Sequence, residues 1–180
     1  MTQADPTTDI VEQFTRRGLT IACAESLTAG LVSAGIADVP GASQVLRGGA
    51  VTYATDAKAS VLGVDAGLLA ERGAVDADVA VAMAHGVRAL FGADVGVATT
   101  GVAGPSMQDG RPVGRCYVAV AVPPEVDAPG ADRESTAPDG RCHVEEFTFS
   151  GDRAQIRRSA ATAAWRLALA HAPDASVGAV

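Results

Sequence analysis

Residues 19–28 read Leu19-Thr20-Ile21-Ala22-Cys23-Ala24-Glu25-Ser26-Leu27-Thr28, and here a strand pattern passes directly into a helix pattern. The run from Leu19 to Ala24 is short and mostly apolar, and it lies between a glycine and the polar pair Glu25-Ser26, which is typical of a buried strand. From Leu27 to Ala37 the apolar residues recur at helical spacing, and the pattern stops before a Pro-Gly pair. The stretch therefore predicts a strand followed by a helix, with Ser26 at the turn between them.

Strands and helices alternate along the rest of the chain. Further strands are predicted at residues 50–53, 93–98, 114–122 and 142–149, and further helices at 9–17, 55–62, 65–72, 76–90 and from 153 onward. The pair Gly48-Gly49 before the second strand indicates a bulge or a close approach of a ligand or backbone. The β-α-β order followed by a hairpin predicts an α/β fold, a three-layer α/β/α sandwich on a mixed β-sheet, and leaves the strand order open.

A length of 180 residues suits one domain with a substantial core, which the pattern places at residues 8–170. The apolar stripe Val79, Met83, Val87 and Leu90 is predicted to face that core. The segment 123–141 is rich in Pro, Asp, Gly and Ala and is interpreted as a mobile loop. Residues 1–7 and 171–180 are interpreted as flexible tails.

Composition and charge argue against several classes of function. The formal net charge of −7 argues against a nucleic-acid partner, because a protein that binds nucleic acid needs a basic surface to neutralise the phosphates. No apolar run approaches membrane-spanning length and the N-terminus lacks the regions of a signal peptide, so we expect a cytoplasmic protein without membrane contact. Cys23, Cys116 and Cys142 lack disulfide-framework or zinc spacing, and we expect no metal.

Three polar or glycine-rich segments follow predicted strands, and ligands collect at the carboxyl ends of strands in open α/β folds. The segments are Glu25 to Thr28, Tyr53 to Lys58, and Thr99 to Pro105. The last of these has small residues that let the backbone touch a ligand, but it matches neither phosphate-binding glycine motif, so no nucleotide cofactor is expected. The segment from Thr99 to Pro105 can equally be an ordinary turn from a strand into a loop. Arg153, in the first turn of the last helix, can pair with a phosphate or form a surface salt bridge.

Lys58 is the only lysine in the chain, beside thirteen arginines. Burial can bring a lysine pKa toward neutrality, so Lys58 can act as a general base, whereas arginine stays charged. Ser26 is a candidate nucleophile for that base, and Tyr53 can relay a proton or fix the amine. Each residue also has a simpler interpretation. Lys58 can be present by chance in a chain whose codon bias favours arginine, Ser26 can be a helix N-cap, and Tyr53 can be an aromatic residue of the core.

Several segments together resemble the CinA C-terminal domain family in order and spacing over most of residues 8–170. They are Ala24-Glu25-Ser26-Leu27-Thr28-Ala29-Gly30, Gly49-Ala50-Val51-Thr52-Tyr53 with Lys58 and Leu62-Gly63-Val64, Gly73-Ala74-Val75, Thr100-Gly101-Val102-Ala103-Gly104-Pro105, Pro112-Val113-Gly114, and Phe149-Ser150-Gly151-Asp152-Arg153. The resemblance implies a CinA-like fold and a standalone copy of a domain that also occurs in longer proteins.

The resemblance further implies a metal-independent amidohydrolase that converts nicotinamide mononucleotide to nicotinate mononucleotide and ammonia in pyridine-nucleotide recycling. It makes Ser26 the nucleophile, Lys58 its base and Tyr53 an assisting hydroxyl. The substrate contacts it implies are Glu25, Thr28, Gly49, Thr100, Gly101, Ala103, Gly104 and Arg153, with the Gly101–Gly104 loop and Arg153 at the ribose phosphate. The oligomeric state stays open, and a homodimer is the first hypothesis.

Two positions depart from the family pattern. Ala29 stands where the family usually has glycine, which adds a methyl group, and Ser106-Met107-Gln108 replaces glycines at the expected rim of the pocket. The second departure bears on substrate preference more than on the chemistry. Two other functions stay open at this point: a catalytically silent nucleotide-binding module of the competence or damage-inducible type, and a serine esterase or amidase of broad specificity.

Overall fold

The computed structural model describes residues 5–124 and 140–173. Within these ranges the chain forms five strands, six α-helices and one short 3-10 turn at Ala42–Gln44. In chain order the elements are α1 (Pro6–Arg17), β1 (Ile21–Glu25), α2 (Leu31–Ala37), β2 (Leu46–Val51), α3 (Thr55–Leu62), α4 (Ala66–Arg72), α5 (Ala77–Phe91), β3 (Val95–Gly101), β4 (Arg115–Val122), β5 (Arg141–Thr148) and α6 (Arg153–His171). In the described part, no helix is both long and apolar enough to span a bilayer.

The strands form one sheet in the order β2-β1-β3-β4-β5. β1 pairs in parallel with both β2 and β3, whereas β3 with β4 and β4 with β5 are antiparallel. Helices α1, α2 and α6 pack on one face through residues such as Phe14, Ile36 and Leu167. Helices α3, α4 and α5 pack on the other through residues such as Leu62 and Met83. The predicted α/β/α sandwich on a mixed sheet is therefore confirmed, and the structure supplies the strand order.

The junction after β1 differs from the prediction. β1 ends at Glu25, and α2 begins at Leu31 rather than Leu27. The reason is the Glu25 side chain, whose oxygens accept hydrogen bonds from the backbone N–H groups of Gly30, Val32 and Ser33 at 2.8, 3.0 and 2.8 Å. A carboxylate that binds these N–H groups favours a helix start at that point, because the helix dipole is positive there. Residues 26–30 consequently form turns.

β2 begins earlier than predicted, at Leu46, and contains Gly48 and Gly49. The register of β1 against β2 shifts between Ile21 and Ala22, so the predicted bulge is confirmed. A Cβ on Gly48 would lie 2.5 Å from the Phe91 ring, and one on Gly49 would lie 2.2 Å from Ser33 Oγ. The nearest neighbours of the glycine pair are thus the side chains of Phe91 and Ser33, and the Cys23 carbonyl oxygen lies 3.5 Å from the Cβ position of Gly49.

Other boundaries also move. α1 begins at Pro6 because the Asp5 side chain accepts from the Thr7 N–H, so the helix takes in the end of the predicted tail 1–7. β3 reaches Gly101, which converts part of the predicted loop into strand. Leu90 is 51% exposed, so it does not belong to the predicted core stripe, whereas Val79, Met83 and Val87 are fully buried. Residues 125–139 of the predicted mobile loop and 174–180 of the predicted tail lie outside the described residues.

Candidate active site

The candidate site lies at the carboxyl ends of three parallel strands. The connection after β1 runs to α2 on one face of the sheet, and the connection after β2 runs to α3 on the other face. β3 leads into the loop before its antiparallel neighbour β4, and ligand crevices form beside such strand ends. The segments that follow β1, β2 and β3 meet in one pocket there. Its lining is Ser26, Leu27, Tyr53, Ala74, Val75, Gly101, Val102, Ala103, Gly104, Ser106, Gln108 and Arg153. The structure therefore brings together the three segments that the sequence nominated.

Lys58 is not part of the pocket lining, but it contacts the lining residue Ser26. The Lys58 Nζ lies 3.1 Å from Ser26 Oγ, and it donates a hydrogen bond of 2.8 Å to the carbonyl oxygen of Thr52. The lysine side chain is fully buried and Ser26 is 9% exposed. The amine thus approaches the hydroxyl within hydrogen-bonding distance from the buried interior.

Burial also changes the protonation of Lys58. The loss of water around the ammonium lowers the pKa of Lys58 from 10.5 to about 8. No carboxylate forms a salt bridge with the lysine in the described part of the chain, so no opposite charge there offsets the loss of hydration. A pKa of about 8 means that roughly a tenth of the molecules hold a neutral amine at pH 7. Such an amine can accept a proton from Ser26.

The backbone around Ser26 is fixed by the sheet. The Ser26 N–H donates to the carbonyl of Thr99 at 3.1 Å, which continues the ladder between β1 and β3 beyond the last strand residue. The Thr52 N–H donates to the carbonyl of Glu25 at 2.9 Å and extends the pairing with β2 in the same way. Lys58 lies on the buried face of α3, together with Leu62 one turn later. Lys58 therefore sits on a helix, and Ser26 directly follows a strand whose pairing continues through its backbone N–H.

Tyr53 and Arg153 form the rim of the pocket. The Arg153 guanidinium bonds to the Tyr53 hydroxyl and to the Gly104 carbonyl oxygen, so it joins two loops that are distant in sequence. Tyr53 is 53% exposed, and its hydroxyl contacts Arg153 rather than Lys58. The predicted contact of Tyr53 with the lysine amine is thus absent in this arrangement. Arg153 forms no salt bridge within the described residues, so its charge is available to an anion.

Four of the residues predicted to contact the substrate contact other residues of the chain and do not line the pocket. Glu25 is fully buried against the start of α2, and the Thr28 and Thr99 hydroxyls bond to each other at 2.8 Å. The Thr100 hydroxyl donates to the Ala74 carbonyl at 2.6 Å, and Gly49 lies against Ser33. These residues hold neighbouring segments together. Of the predicted contacts, the pocket keeps Gly101, Ala103, Gly104 and Arg153.

The two departures from the family pattern have visible consequences. Ser106 and Gln108 line the pocket, which agrees with the predicted position at its rim. Ala29 adopts φ +49°, a left-handed conformation. The methyl group of Ala29 therefore adds backbone strain, since an L side chain in this region costs roughly 1–2 kcal/mol.

Arg157 was missed by the sequence reasoning. Its guanidinium donates to the carbonyl oxygens of Leu27 and Thr28, at 2.9 and 2.8 Å, directly after Ser26. The available signal was its spacing: Arg157 follows Arg153 by four residues, so the two arginines share a face of the helix.

The family assignment agrees with this geometry. A model of the CinA C-terminal domain matches residues 3–171. The chain belongs to the CinA C-terminal domain family. A CinA-like protein of Frankia casuarinae is 46% identical over 83% of the chain and 31% of its own length. A putative competence-damage inducible protein of Desulforamulus reducens is 44% identical over 84% of the chain and 33% of its own length. The chain thus spans about a third of these CinA relatives.

Solved CinA-family structures match the whole fold. The competence/damage inducible protein CihA from Agrobacterium tumefaciens is 30% identical with a TM-score of 0.78, over 94% of this chain and 98% of that one. The competence damage-inducible protein A from Klebsiella pneumoniae is 27% identical with a TM-score of 0.81, over 93% and 97% of the two chains. The CinA-like fold expected from the sequence is confirmed.

Proposed function

We propose that this chain is a nicotinamide-nucleotide amidohydrolase, which hydrolyses the amide of nicotinamide mononucleotide to nicotinate mononucleotide and ammonia. The observation that carries the proposal is the contact of 3.1 Å between the buried Lys58 amine and the Ser26 hydroxyl. A neutral lysine beside a serine activates the serine for covalent catalysis. The substrate class comes from the family resemblance, and Arg153 in the pocket lining supplies a cation for the phosphate of such a substrate.

In the first half-reaction, Ser26 Oγ attacks the amide carbon while its proton passes to Lys58 Nζ. The carbonyl oxygen then becomes an oxyanion. When this intermediate collapses, the carbon–nitrogen bond breaks, and Lys58 returns the proton to the leaving nitrogen, which departs as ammonia. The products of this step are an acyl ester on Ser26 and a neutral lysine.

In the second half-reaction, water attacks the ester and gives its proton to Lys58. The bond between Ser26 Oγ and the acyl carbon breaks, and Lys58 restores the proton to the hydroxyl. The acid leaves, and the enzyme returns to its starting state. One lysine therefore serves as base and as acid in both half-reactions, which suits a group whose pKa lies near the working pH.

The oxyanion needs N–H donors that are not already used. The N–H of Ser26 donates to Thr99 and is excluded. The N–H of Leu27, next in the chain and at the pocket wall, has no acceptor within the described residues and is our assigned donor. We assign the ribose phosphate to Arg153 and to the loop from Gly101 to Gly104, because a guanidinium without a carboxylate partner and a backbone of small residues suit a phosphate.

The test is ammonia release from nicotinamide mononucleotide by the purified protein. Ser26→Ala and Lys58→Arg should each lose at least about a thousandfold in kcat, since arginine cannot serve as the base. Ser60→Ala is the matched control, because Ser60 is exposed on the same helix as Lys58, and it should retain full activity. Full activity in Lys58→Arg would eliminate the dyad. Binding without turnover in the parent protein would instead indicate a silent nucleotide-binding module, and turnover of simple nitrophenyl esters alone would indicate a broad esterase.

A further inference from the structure

The turn after Ser26 is held by charged side chains at both of its ends. On one side the Glu25 carboxylate binds the N–H groups of Gly30, Val32 and Ser33. On the other, Arg157 reaches from α6 to two consecutive carbonyl oxygens, those of Leu27 and Thr28, at 2.9 and 2.8 Å. Arg157 has no carboxylate within salt-bridge distance among residues 5–124 and 140–173. Its charge therefore acts on the turn.

These bonds fix the direction of the peptide planes in the turn. In a trans peptide the C=O and the following N–H point in opposite directions. Arg157 holds the Thr28 carbonyl, so the Ala29 N–H points away from α6, and it donates to the Ser26 carbonyl at 3.1 Å. The Ser26 carbonyl and the Leu27 N–H belong to the same peptide group. Fixing the direction of the carbonyl therefore also fixes the direction of the Leu27 N–H. A chain of two hydrogen bonds thus links the guanidinium to the N–H that follows the nucleophile.

The charge adds to this orientation. A cation bonded to peptide carbonyls polarises the bonded chain, so each N–H in it becomes a stronger donor. A donor that is oriented before the reaction stabilises a developing oxyanion without reorganisation. We propose that Arg157 is a positioning residue that aims the Leu27 N–H at the oxyanion formed when Ser26 attacks its substrate. This inference rests on the proposed acyl-transfer function, and it assigns to Arg157 no contact with the substrate.

The first experiment compares Arg157→Lys, Arg157→Gln and the control Arg158→Gln in ammonia release from nicotinamide mononucleotide. Arg158 is exposed and faces a groove beside Phe147 on the other side of the helix. We expect kcat per folded molecule to fall about 10- to 100-fold in both Arg157 variants, since removing an oxyanion donor outright costs about 100- to 1,000-fold. KM should stay within about twofold, because the ground-state carbonyl gains little from the donor. The midpoint of the pH–rate profile should not move, since Lys58 remains the base.

A purely structural role for Arg157 predicts a different result. It would lower the melting temperature and leave kcat per folded molecule unchanged, with the folded fraction read from the fluorescence of Trp165, the only tryptophan. That outcome, or an equal loss of kcat in Arg158→Gln, would overturn the proposal. Arg157→Lys keeps the charge and supplies the decisive measurement if the Gln variant does not fold.

The second experiment does not depend on the nucleotide. An alkyl fluorophosphonate reacts with an activated serine: Ser26 Oγ bonds to phosphorus, fluoride leaves, and the serine proton passes to Lys58. The phosphoryl oxygen takes the place of the oxyanion. We expect the second-order rate of labelling to fall at least about tenfold in Arg157→Lys and to be unchanged in Arg158→Gln. Equal labelling rates would overturn the role of Arg157, whereas an unlabelled parent protein would overturn the proposed nucleophile itself.

Discussion

Replacing Lys58 by methionine should raise the stability of the protein while abolishing its activity. The parent protein folds with a buried amine whose pKa is lowered from 10.5 to about 8, and methionine fills similar space without a charge. The variant loses the base that we propose, so ammonia release should stop. It also loses the free-energy penalty that the parent accepts in order to bury that amine.

The size of this penalty follows from the two pKa values. Their difference corresponds to about 3 kcal/mol of unfolding free energy below about pH 8, where both states of the parent protein hold the proton. Between about pH 8 and 10.5 the folded lysine has lost its proton and the unfolded lysine has not, so the stability of the parent rises with pH. The variant leaves the buried Thr52 carbonyl without its donor, which costs about 1–2 kcal/mol. At pH 7 the variant should therefore be more stable by about 1–2 kcal/mol.

Urea denaturation followed by Trp165 fluorescence measures both proteins. All other titrating groups are common to the two chains, so the difference between their unfolding free energies isolates Lys58. That difference should move by about 2–3 kcal/mol in favour of the parent between about pH 7 and pH 10. A difference that stays constant within about 0.5 kcal/mol over this range would show that burial does not lower the lysine pKa, and the neutral-amine mechanism would fail with it.

Three further predictions concern the same region. The kcat/KM of the parent protein should rise about tenfold from pH 7 to a plateau above about pH 9, with a midpoint near the Lys58 pKa of about 8; a flat profile would argue against this base. Glu25→Gln should lower the unfolding free energy measured by urea denaturation by about 3 kcal/mol, because the amide places an N–H donor against the N–H groups of α2. The exposed control Glu145→Gln should lower it by less than about 0.5 kcal/mol, and equal losses in the two variants would contradict the role of Glu25. Ala29→Gly should raise the unfolding free energy by up to about 1 kcal/mol, because it removes a side chain from φ +49°, and a loss of stability would show that the turn is not strained.

Local patterns predicted the layers of the fold because each strand and helix here has its own signal. Lys58 and Ser26 could be paired from the sequence. Lys58 is the single lysine of the chain and follows the end of a predicted strand, and Ser26 lies at a predicted strand-to-helix turn. The start of α2 could not be placed, because it depends on a fully buried carboxylate that binds the helix N-terminus ahead of it. A glutamate at a strand end is more often a ligand contact or a surface charge, and no spacing rule distinguishes the cases.

Contacts between distant segments were beyond local reasoning. The bond between Arg153 and Tyr53 joins residues that are 100 positions apart, and Arg157 reaches a carbonyl 130 positions away. Both contacts depend on how α6 lies across the sheet, which in turn depends on the strand order. The partners of the Thr28 and Thr100 hydroxyls lie beyond local patterns for the same reason, since they belong to segments distant in sequence.

The burial of Lys58 has a consequence for the chemistry of the surface. Because the only lysine side chain is fully buried, reagents that modify lysine amines find no such target on the folded protein. Enzymatic acetylation of this side chain would likewise have to wait for the domain to open. Acylation of Lys58 by an activated ester, quantified by mass spectrometry, would therefore count opening events at a single atom. The residue that we propose as the base thus also reports how often the core is exposed.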